Sequence, residues 1–131
     1  MQSQITSKIT YSSIDSFDKD LKRLAKKFPS LPEDLELVKR AVIELFHLKK
    51  INNQAVFPIP DFCSETFQVC KIKKFACRSL KGKGVKSGVR ITYFFDLQKL
   101  EVVFLEMYFK ADQENEDRER IREYLKSTKC K

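Results

Sequence analysis

The sequence lacks the features that mark membrane-spanning, secreted and disordered chains. None of the apolar runs in its 131 residues approaches the length of ~20 needed to cross a bilayer. Met1 to Thr10 has no charged stretch followed by an apolar one, the pattern of a secretory signal. We therefore expect a cytoplasmic protein with no membrane partner. A 42% hydrophobic share beside 34% charged residues excludes a mostly disordered chain and favours one domain over residues 1–131.

The four cysteines lack the spacing of a metal site. Cys63, Cys70 and Cys77 recur every seven residues, Cys130 lies near the end, and no C-x-x-C pair occurs. The only histidine, His47, is far from them in sequence, on a predicted helix, where we interpret it as a surface residue. We expect reduced thiols that pack as small apolar residues rather than disulfides or zinc ligands, and no cofactor.

Acidic residues are absent between Thr66 and Phe95, although that stretch contains eight basic ones. The whole chain has 26 basic and 18 acidic residues, so its net charge of +8 arises entirely within this stretch. A solvated surface normally mixes both signs, and a block of one sign indicates a polyanionic partner, with phosphate backbones as the first candidates. The basic residues are Lys71, Lys73, Lys74, Arg78, Lys81, Lys83, Lys86 and Arg90.

Hydrophobic periodicity in the first half predicts a strand followed by two helices. Ile5 to Ser12 is rich in β-branched and aromatic residues, as strands are. The first helix is expected to have Ser16 as its N-cap and to end at Pro29. Its buried face is expected to carry Phe17, Leu21, Leu24 and Phe28. Ser30 and Glu33 match the capping-box pattern of a second helix. Because the turn between the helices is short, we expect an antiparallel helical hairpin.

The second half predicts strands. Asn52 to Glu65 contains two prolines and is predicted to be a loop. A tight turn near Gln98 and Lys99 indicates an antiparallel hairpin. The three predicted strands are Thr66 to Cys77, Val89 to Leu97, and Leu100 to Lys110. A mobile basic loop, Arg78 to Gly88, separates the first two.

A short final helix is predicted from about Gln113 to Ser127, with Asp112 as a possible cap. The complete pattern predicts an α+β fold. Its sheet is expected to be mainly antiparallel, twisted and of about four strands, with the helical hairpin on one face and a short C-terminal helix.

Strand alternation gathers several polar residues on the sheet face away from the helices. Residues two apart on a strand share a face, so Lys71 lies with Lys73, and Arg90 lies with Thr92. On the last strand, we expect Val103, Leu105, Met107 and Phe109 to fill the core beneath the helices. The opposite, exposed face is then expected to present Lys71, Lys73, Arg90, Glu106, Tyr108 and Lys110.

Three segments carry a family resemblance: Val69-Cys70-Lys71-Ile72-Lys73, Ser87-Gly88-Val89-Arg90-Ile91-Thr92-Tyr93, and Glu106 to Glu114. They are similar to the K-x-K strand, the G-x-R-x-x-Y strand and the last strand end of the RelE/ParE toxin superfamily. The helical hairpin in front of them matches the family's order, so the resemblance spans nearly the whole chain. Each motif alone is weak, and their order makes the match specific.

The resemblance implies the toxin of a type II toxin–antitoxin pair. RelE-type members cut messenger RNA in the ribosomal A site without metal or cofactor, and ParE-type members poison DNA gyrase. The implied partners are a cognate acidic antitoxin, the ribosome and mRNA. Lys71 and Lys73 match the paired strand cations, Arg90 matches the G-x-R arginine, and Lys110 matches the cation ending the last strand.

The chain departs from the RelE pattern after that cation. RelE-type nucleases place a catalytic tyrosine there, whereas Ala111 to Arg122 contains none; Tyr108 comes earlier and Tyr124 later. This departure keeps two alternatives open, a ParE-like gyrase inhibitor and a non-catalytic basic RNA-binding family member. Retention of the cation set favours the RelE-like function.

Cleavage through the 2′-hydroxyl needs a base, a proton donor and charge stabilisation. Since neighbouring like charges favour a neutral amine, Lys71 or Lys73 is assigned the base role. Arg90 would stabilise the phosphorane through its planar fork, and Lys110 would assist the leaving group. Glu106 is an alternative base, and Tyr108 is a weaker candidate.

Each role has a plainer structural alternative. Exposed strand lysines also protect sheet edges and keep proteins in solution. Arg90 could pair with Glu106 across the hairpin, and Tyr108 could be a packing residue. The remaining cations of the basic stretch are expected to make nonspecific phosphate contacts; they are Lys74, Arg78, Lys81, Lys83 and Lys86.

Overall fold

The structure, a computed structural model, describes residues 8–52 and 54–128. Its strands are β1 (Thr10–Ser13), β2 (Val56–Pro58), β3 (Phe67–Ile72), β4 (Val89–Asp96) and β5 (Glu101–Phe109). Its α-helices are α1 (Asp15–Ala25), α2 (Leu31–Val38), α3 (Leu45–Lys49) and α4 (Arg118–Thr128). A π-helical stretch, Lys39–Glu44, joins α2 to α3, and a 3-10 turn, Pro60–Phe62, follows β2. The predicted α+β class is confirmed.

The sheet differs from the expected arrangement of about four mainly antiparallel strands. Within residues 8–52 and 54–128 it has five strands in the order β1-β5-β4-β3-β2, and it is mixed, because β1 runs parallel to β5 while the other pairs are antiparallel. The parallel pairing places Thr10 opposite Glu101 and Ser13 opposite Phe104. β1 also begins later than predicted, and residues 5–7 of that prediction lie outside the described residues.

Helices α1 to α3 cover one side of the sheet, which we call the first face. Phe17, Leu24 and Phe28 are buried there, as their predicted spacing requires, and Leu31 and Ile43 are fully buried. The sheet contributes apolar residues from its central strands, namely Ile72, Ile91, Tyr93, Phe95, Phe104 and Met107. The larger of the two cores therefore lies between the helices and the first face.

Helix α4 and the 3-10 turn cover the second face, which the sequence predicted to be exposed. Ile121 of α4 is 1% exposed and packs against Val69, Phe94 and Leu105. Thr92 of β4 pairs with Glu106 and the next residue, Tyr93, pairs with Phe104, so β5 has one extra residue between them, a β-bulge. The bulge changes which β5 side chains lie on each face of the sheet. For this reason Val103 and Leu105 join the second core. The expectation that they lie beneath the helical hairpin is wrong.

Two predicted helix caps are wrong, and the third, Ser30, is the N-cap residue of α2 as predicted but makes no side-chain capping hydrogen bond. Helix α1 begins after Ile14, and Ser16 lies inside it. The Ser30 side chain donates to Asp34 at 2.6 Å instead of capping α2. Helix α4 starts after Asp117, whose Oδ1 accepts the backbone N–H groups of Glu119 and Arg120 at 3.1 and 3.2 Å. Helix α4 is thus capped by a local aspartate that lies later in the chain than the predicted Asp112, whereas α1 has no side-chain cap.

The predicted loop between the helices and the sheet contains strand β2. It pairs antiparallel with β3, with Phe57 opposite Lys71 and Pro58 opposite Cys70. Because β2 is an edge strand, Pro58 ends it without leaving a central ladder bond unmade. The two prolines limit this strand to three residues but do not prevent it.

An ion pair covers the outer edge of β5 beyond the end of β1. The Arg120 Nη1 atom donates to the Leu105 carbonyl at 2.9 Å, and Asp20 Oδ2 accepts the Met107 N–H at 3.1 Å. Asp20 and Arg120 contact each other at 2.7 Å. Asp20, which is 7% exposed, thus links α1, the sheet edge and α4 in one network.

His47 is buried rather than on the surface. Its ring stacks on Phe95 with centroids 3.8 Å apart, and its Nε2 lies 2.8 Å from the Tyr93 hydroxyl. Burial, with a smaller effect of Lys50, lowers the pKa of His47 to about 4. The neutral imidazole therefore belongs to the folded state.

We expect acid to destabilise the protein through His47. An unfolded histidine titrates near pH 6.5 and the folded one near 4, so its stabilising effect is complete above pH 6.5 and is lost as pH falls toward 4. The loss amounts to about 3 kcal/mol. Urea unfolding of the native and His47→Gln proteins at several pH values measures it. An equal fall in stability for both proteins over that window would contradict the assignment.

Candidate functional site

The strand register aligns the candidate residues on the second face. Lys71 lies opposite Thr92, and Thr92 lies opposite Glu106, so the three form one row across β3, β4 and β5. Arg90 lies opposite Tyr108 in the next row. The structure therefore places Lys71, Arg90, Glu106 and Tyr108 on one side of the sheet, as strand alternation predicts.

Lys73 and Arg90 lie together at one end of this face. The Arg90 Nη1 atom donates to the Lys73 backbone carbonyl at 2.6 Å. Lys73 is exposed and Arg90 is half-buried. Lys110 is exposed just after β5, and its N–H donates to the Gly88 carbonyl at 2.8 Å. Three of the predicted site cations are thus at least partly accessible to a phosphate.

Gly88 keeps β4 and β5 in close contact at this end. Its φ is +90°, and a Cβ at this position would lie 3.1 Å from the Phe109 ring. The backbone conformation favours glycine, and a Cβ would also require the Phe109 ring to shift by a few tenths of an ångström. The glycine of the G-x-R motif therefore suits the close contact with Phe109 at the point where the Lys110 N–H bonds to its carbonyl.

An acidic turn, residues 111–117, covers the other end of the site. Glu116 accepts a hydrogen bond from Lys71 Nζ and is itself 6% exposed at its side chain. Glu106 Oε2 accepts from the Gln113 amide at 2.7 Å, and its Oε1 accepts from the Asp117 N–H at 2.8 Å. The alternative pair between Arg90 and Glu106 is not seen among the described residues, where the acidic turn contacts both carboxylate oxygens of Glu106.

The buried groups of the site have shifted pKa values. Burial raises the pKa of Glu106, against the opposing effect of the Asp117 N–H and the Gln113 amide. Burial, together with Glu116 and Glu106, raises the pKa of Tyr108 to about 12. Burial alone would raise the pKa of Glu116, but the hydrogen bond from Lys71 brings it below the ordinary value. The site therefore holds a phenol proton, a more basic carboxyl and an ion pair side by side.

Two hydroxyls on this face are buried without a hydrogen-bond partner in the described part of the chain, those of Thr92 and Tyr108. Such groups are rare in folded proteins and mark places where a polar partner is required. Tyr108 is 3% exposed, so substrate can reach it only if the structure around it moves. Chemically, these hydroxyls could donate to phosphate oxygens.

The remaining predicted cations divide into two groups. Lys81, Lys83 and Lys86 are exposed in the loop between β3 and β4, and Lys74 is half-buried at its start. Arg78 is directed to the helices instead, where it contacts Asp34 at 2.9 Å and Glu33 at 2.6 Å. The structure does not bring Arg78 together with the other site residues.

Sequence reasoning missed Phe57. Its ring lies on the second face in register with Lys71, and the Lys73 ammonium is 4.6 Å from its centroid. Assigning residues 52–65 to a loop removed Phe57 from the strand pattern. The available signal was the Val-Phe-Pro run, which is typical of a short edge strand.

Comparisons with protein-family models, curated proteins and solved structures found no match to this chain. Over residues 8–52 and 54–128, no group of three or more His, Cys, Asp or Glu side chains is arranged to hold a metal ion. Cys70 and Cys77 are buried and Cys63 is half-buried, while Cys130 lies outside the described residues. In the same part of the chain, no helix combines the length and apolarity needed to cross a bilayer.

Proposed function

We propose that this protein is a RelE-like toxin of a toxin–antitoxin pair, a metal-independent endoribonuclease that cuts mRNA on the ribosome and inhibits translation. One observation carries the proposal. The register of β3, β4 and β5 gathers Lys71, Arg90, Glu106 and Tyr108 on one face, beside the exposed Lys73 and Lys110. This set supplies positive charge, a carboxyl and a phenol within one surface.

The roles follow from accessibility and charge. Arg90 stabilises the charge that develops on the phosphorane, because its guanidinium offers two donors to phosphate oxygens. Lys71 is already paired with Glu116, so it acts as a charge-stabilising cation once the phosphate displaces that carboxylate. Glu106 is better suited to accept the 2′-hydroxyl proton, since burial raises its pKa.

The acidic turn makes the isolated protein a poor nuclease. Glu116 competes with RNA phosphate for Lys71, and the turn covers Glu106 and Tyr108. A large RNA surface that binds the loop lysines can supply the free energy to displace the turn and can orient the message. Dependence on the ribosome follows from this arrangement. An acidic antitoxin segment would inhibit by covering the same cations.

A ParE-like inhibitor of DNA gyrase is the second candidate function. The observation that favours it is the burial of Tyr108 at 3% exposure and of Glu106 at 3%. A protein that binds gyrase without cutting RNA needs no accessible proton-transfer group. The site cations would then contribute to gyrase binding and not to catalysis.

Primer extension on a defined message in a reconstituted translation system tests the nuclease. We expect cuts at fixed codon positions only when ribosomes are present. Lys71→Ala is expected to reduce cutting at least tenfold, because it removes one charge from the phosphate site. Lys19→Ala, an exposed change on α1, is the matched control and is expected to cut normally.

An intact message with and without ribosomes would contradict the nuclease proposal. A supercoiling assay with purified gyrase then tests the ParE-like alternative. Cutting of free RNA at the same rate as ribosome-bound message would contradict the inhibitory role given to the acidic turn.

A further inference from the structure

Phe57 is an exposed aromatic residue at the rim of the cationic face, the part of the second face that carries Lys71, Lys73 and Arg90. It is 38% exposed, and it is the only aromatic among the large apolar side chains that are exposed in residues 8–52 and 54–128. The others, Leu37, Ile51, Val85 and Leu97, are aliphatic. The Lys73 ammonium lies over this ring, so the ring surface away from that ammonium is the part available to a flat ligand.

The surroundings of Phe57 select for an anionic ligand. Lys71 lies directly across from it on β3, and the Lys73 ammonium lies 4.6 Å from the ring centroid. Arg90 is one strand further, bonded to the Lys73 carbonyl. Neighbouring strands are spaced by about 4.8 Å, so the ring and the Arg90 guanidinium belong to strands about 10 Å apart. In a nucleic acid, a flat base is attached to an anionic sugar-phosphate backbone. The ring could contact such a base while the neighbouring cations contact its phosphates.

The edge of β2 is poorly suited to pairing with another protein strand. β2 has only three residues, and Pro58 at its end has no N–H to donate. A strand added at this edge would find no continuous row of backbone groups. The exposed ring therefore fits a ligand that stacks better than a chain that extends the sheet.

We infer that Phe57, with Lys73, is a stacking platform for one base of single-stranded RNA bound along the cationic face. The inference deepens the proposed function, on which it rests for the identity of the nucleic acid. Base stacking on an aromatic ring tolerates any base, since every base has a π-face. The platform would hold the nucleotide beside the scissile phosphate while Lys71 and Arg90 hold the backbone.

Fluorescence anisotropy at low salt tests the platform. The probes are a 5′-labelled hexauridylate and a labelled abasic ribose-phosphate hexamer of the same length and charge. We expect the native protein to bind the hexauridylate at least about fivefold more tightly than the abasic hexamer, in line with the stacking contribution of one base. Phe57→Leu is expected to bind both probes equally, whereas Phe57→Trp keeps the preference.

The controls separate stacking from charge and from folding. Lys73→Gln is expected to weaken binding of both probes, because both carry the same phosphates. Circular dichroism of each variant checks that the fold survives. A native protein that binds the two probes equally, or a Phe57→Leu protein that keeps the native preference, would overturn the inference.

The experiments distinguish a failure of the stacking inference from a failure of the nuclease proposal. Ribosome-dependent cutting by a protein with no preference for the base-bearing probe removes the platform and leaves the nuclease. A base preference that depends on Phe57, in a protein that cuts no message, supports the platform and removes the nuclease.

Discussion

Replacing Arg90 with alanine is expected to lower the rate of ribosome-dependent mRNA cleavage by at least about 100-fold. The guanidinium is half-buried on β4 and donates a hydrogen bond to the Lys73 carbonyl, so its removal takes a charge donor from the site and leaves both cores intact. Single-turnover cleavage of message on stalled ribosomes measures the rate. Growth after induction of the variant gives the corresponding loss of toxicity.

Two further variants make the Arg90 result specific. Arg40→Ala removes an exposed arginine from the helical layer and is expected to cut normally. Arg90→Lys keeps the charge but not the planar fork, so an intermediate rate is expected. Full activity of Arg90→Ala would exclude the arginine from the site and would shift weight to the gyrase alternative.

Replacing Asp20 with alanine is expected to reduce the free energy of unfolding by about 3 kcal/mol. The change leaves the Arg120 guanidinium without its carboxylate and the Met107 N–H without its acceptor, and both belong to a largely buried network. Breaking one side of a buried ion pair costs more than the pair itself contributes, since the other charge stays desolvated. Urea unfolding at pH 7 measures the difference.

Asp20→Asn is the matched control for this network. Asparagine still accepts the Met107 N–H but cannot neutralise Arg120, so its stability is expected to fall between those of the native protein and Asp20→Ala. Asp18→Ala, an exposed change on the same helix, is expected to have a small effect. If Asp20→Ala unfolds at the same urea concentration as the native protein, the network does not stabilise the edge of β5.

Local sequence patterns were sufficient for the main helices and strands. Phe17, Leu24 and Phe28 follow the helical period and are buried as expected. Strand alternation placed Lys71, Arg90 and Tyr108 on one face, and the register confirms that placement. The hairpin turn also formed where predicted, with Asp96 accepting the N–H groups of Gln98 and Lys99 at 2.9 Å. These features depend on residues close in sequence, which is why periodicity finds them.

The contact between Ser30 and Ser79 and the short edge strand were beyond local rules. Ser30 matches a capping box, yet its hydroxyl contacts Asp34 and the Ser79 backbone. Phe57 lies in a proline-containing run that predicts a loop, yet pairing with β3 makes it a strand. In both cases a partner distant in sequence supplies the hydrogen bonds, and no local pattern shows that partner.

The sequence by itself determined the α+β class, the helical and strand periods and the block of basic residues between Thr66 and Phe95. Only the tertiary structure decided that β1 joins the sheet in parallel, that a bulge directs Leu105 to the second core, and that the acidic turn covers Lys71, Glu106 and Tyr108. Those features depend on pairing between residues distant in sequence and on which segments pack over each face of the sheet. Hydrophobic periodicity and local charge are properties of residues close in sequence. Strand register and the burial of the site residues depend on the free energy of the whole fold.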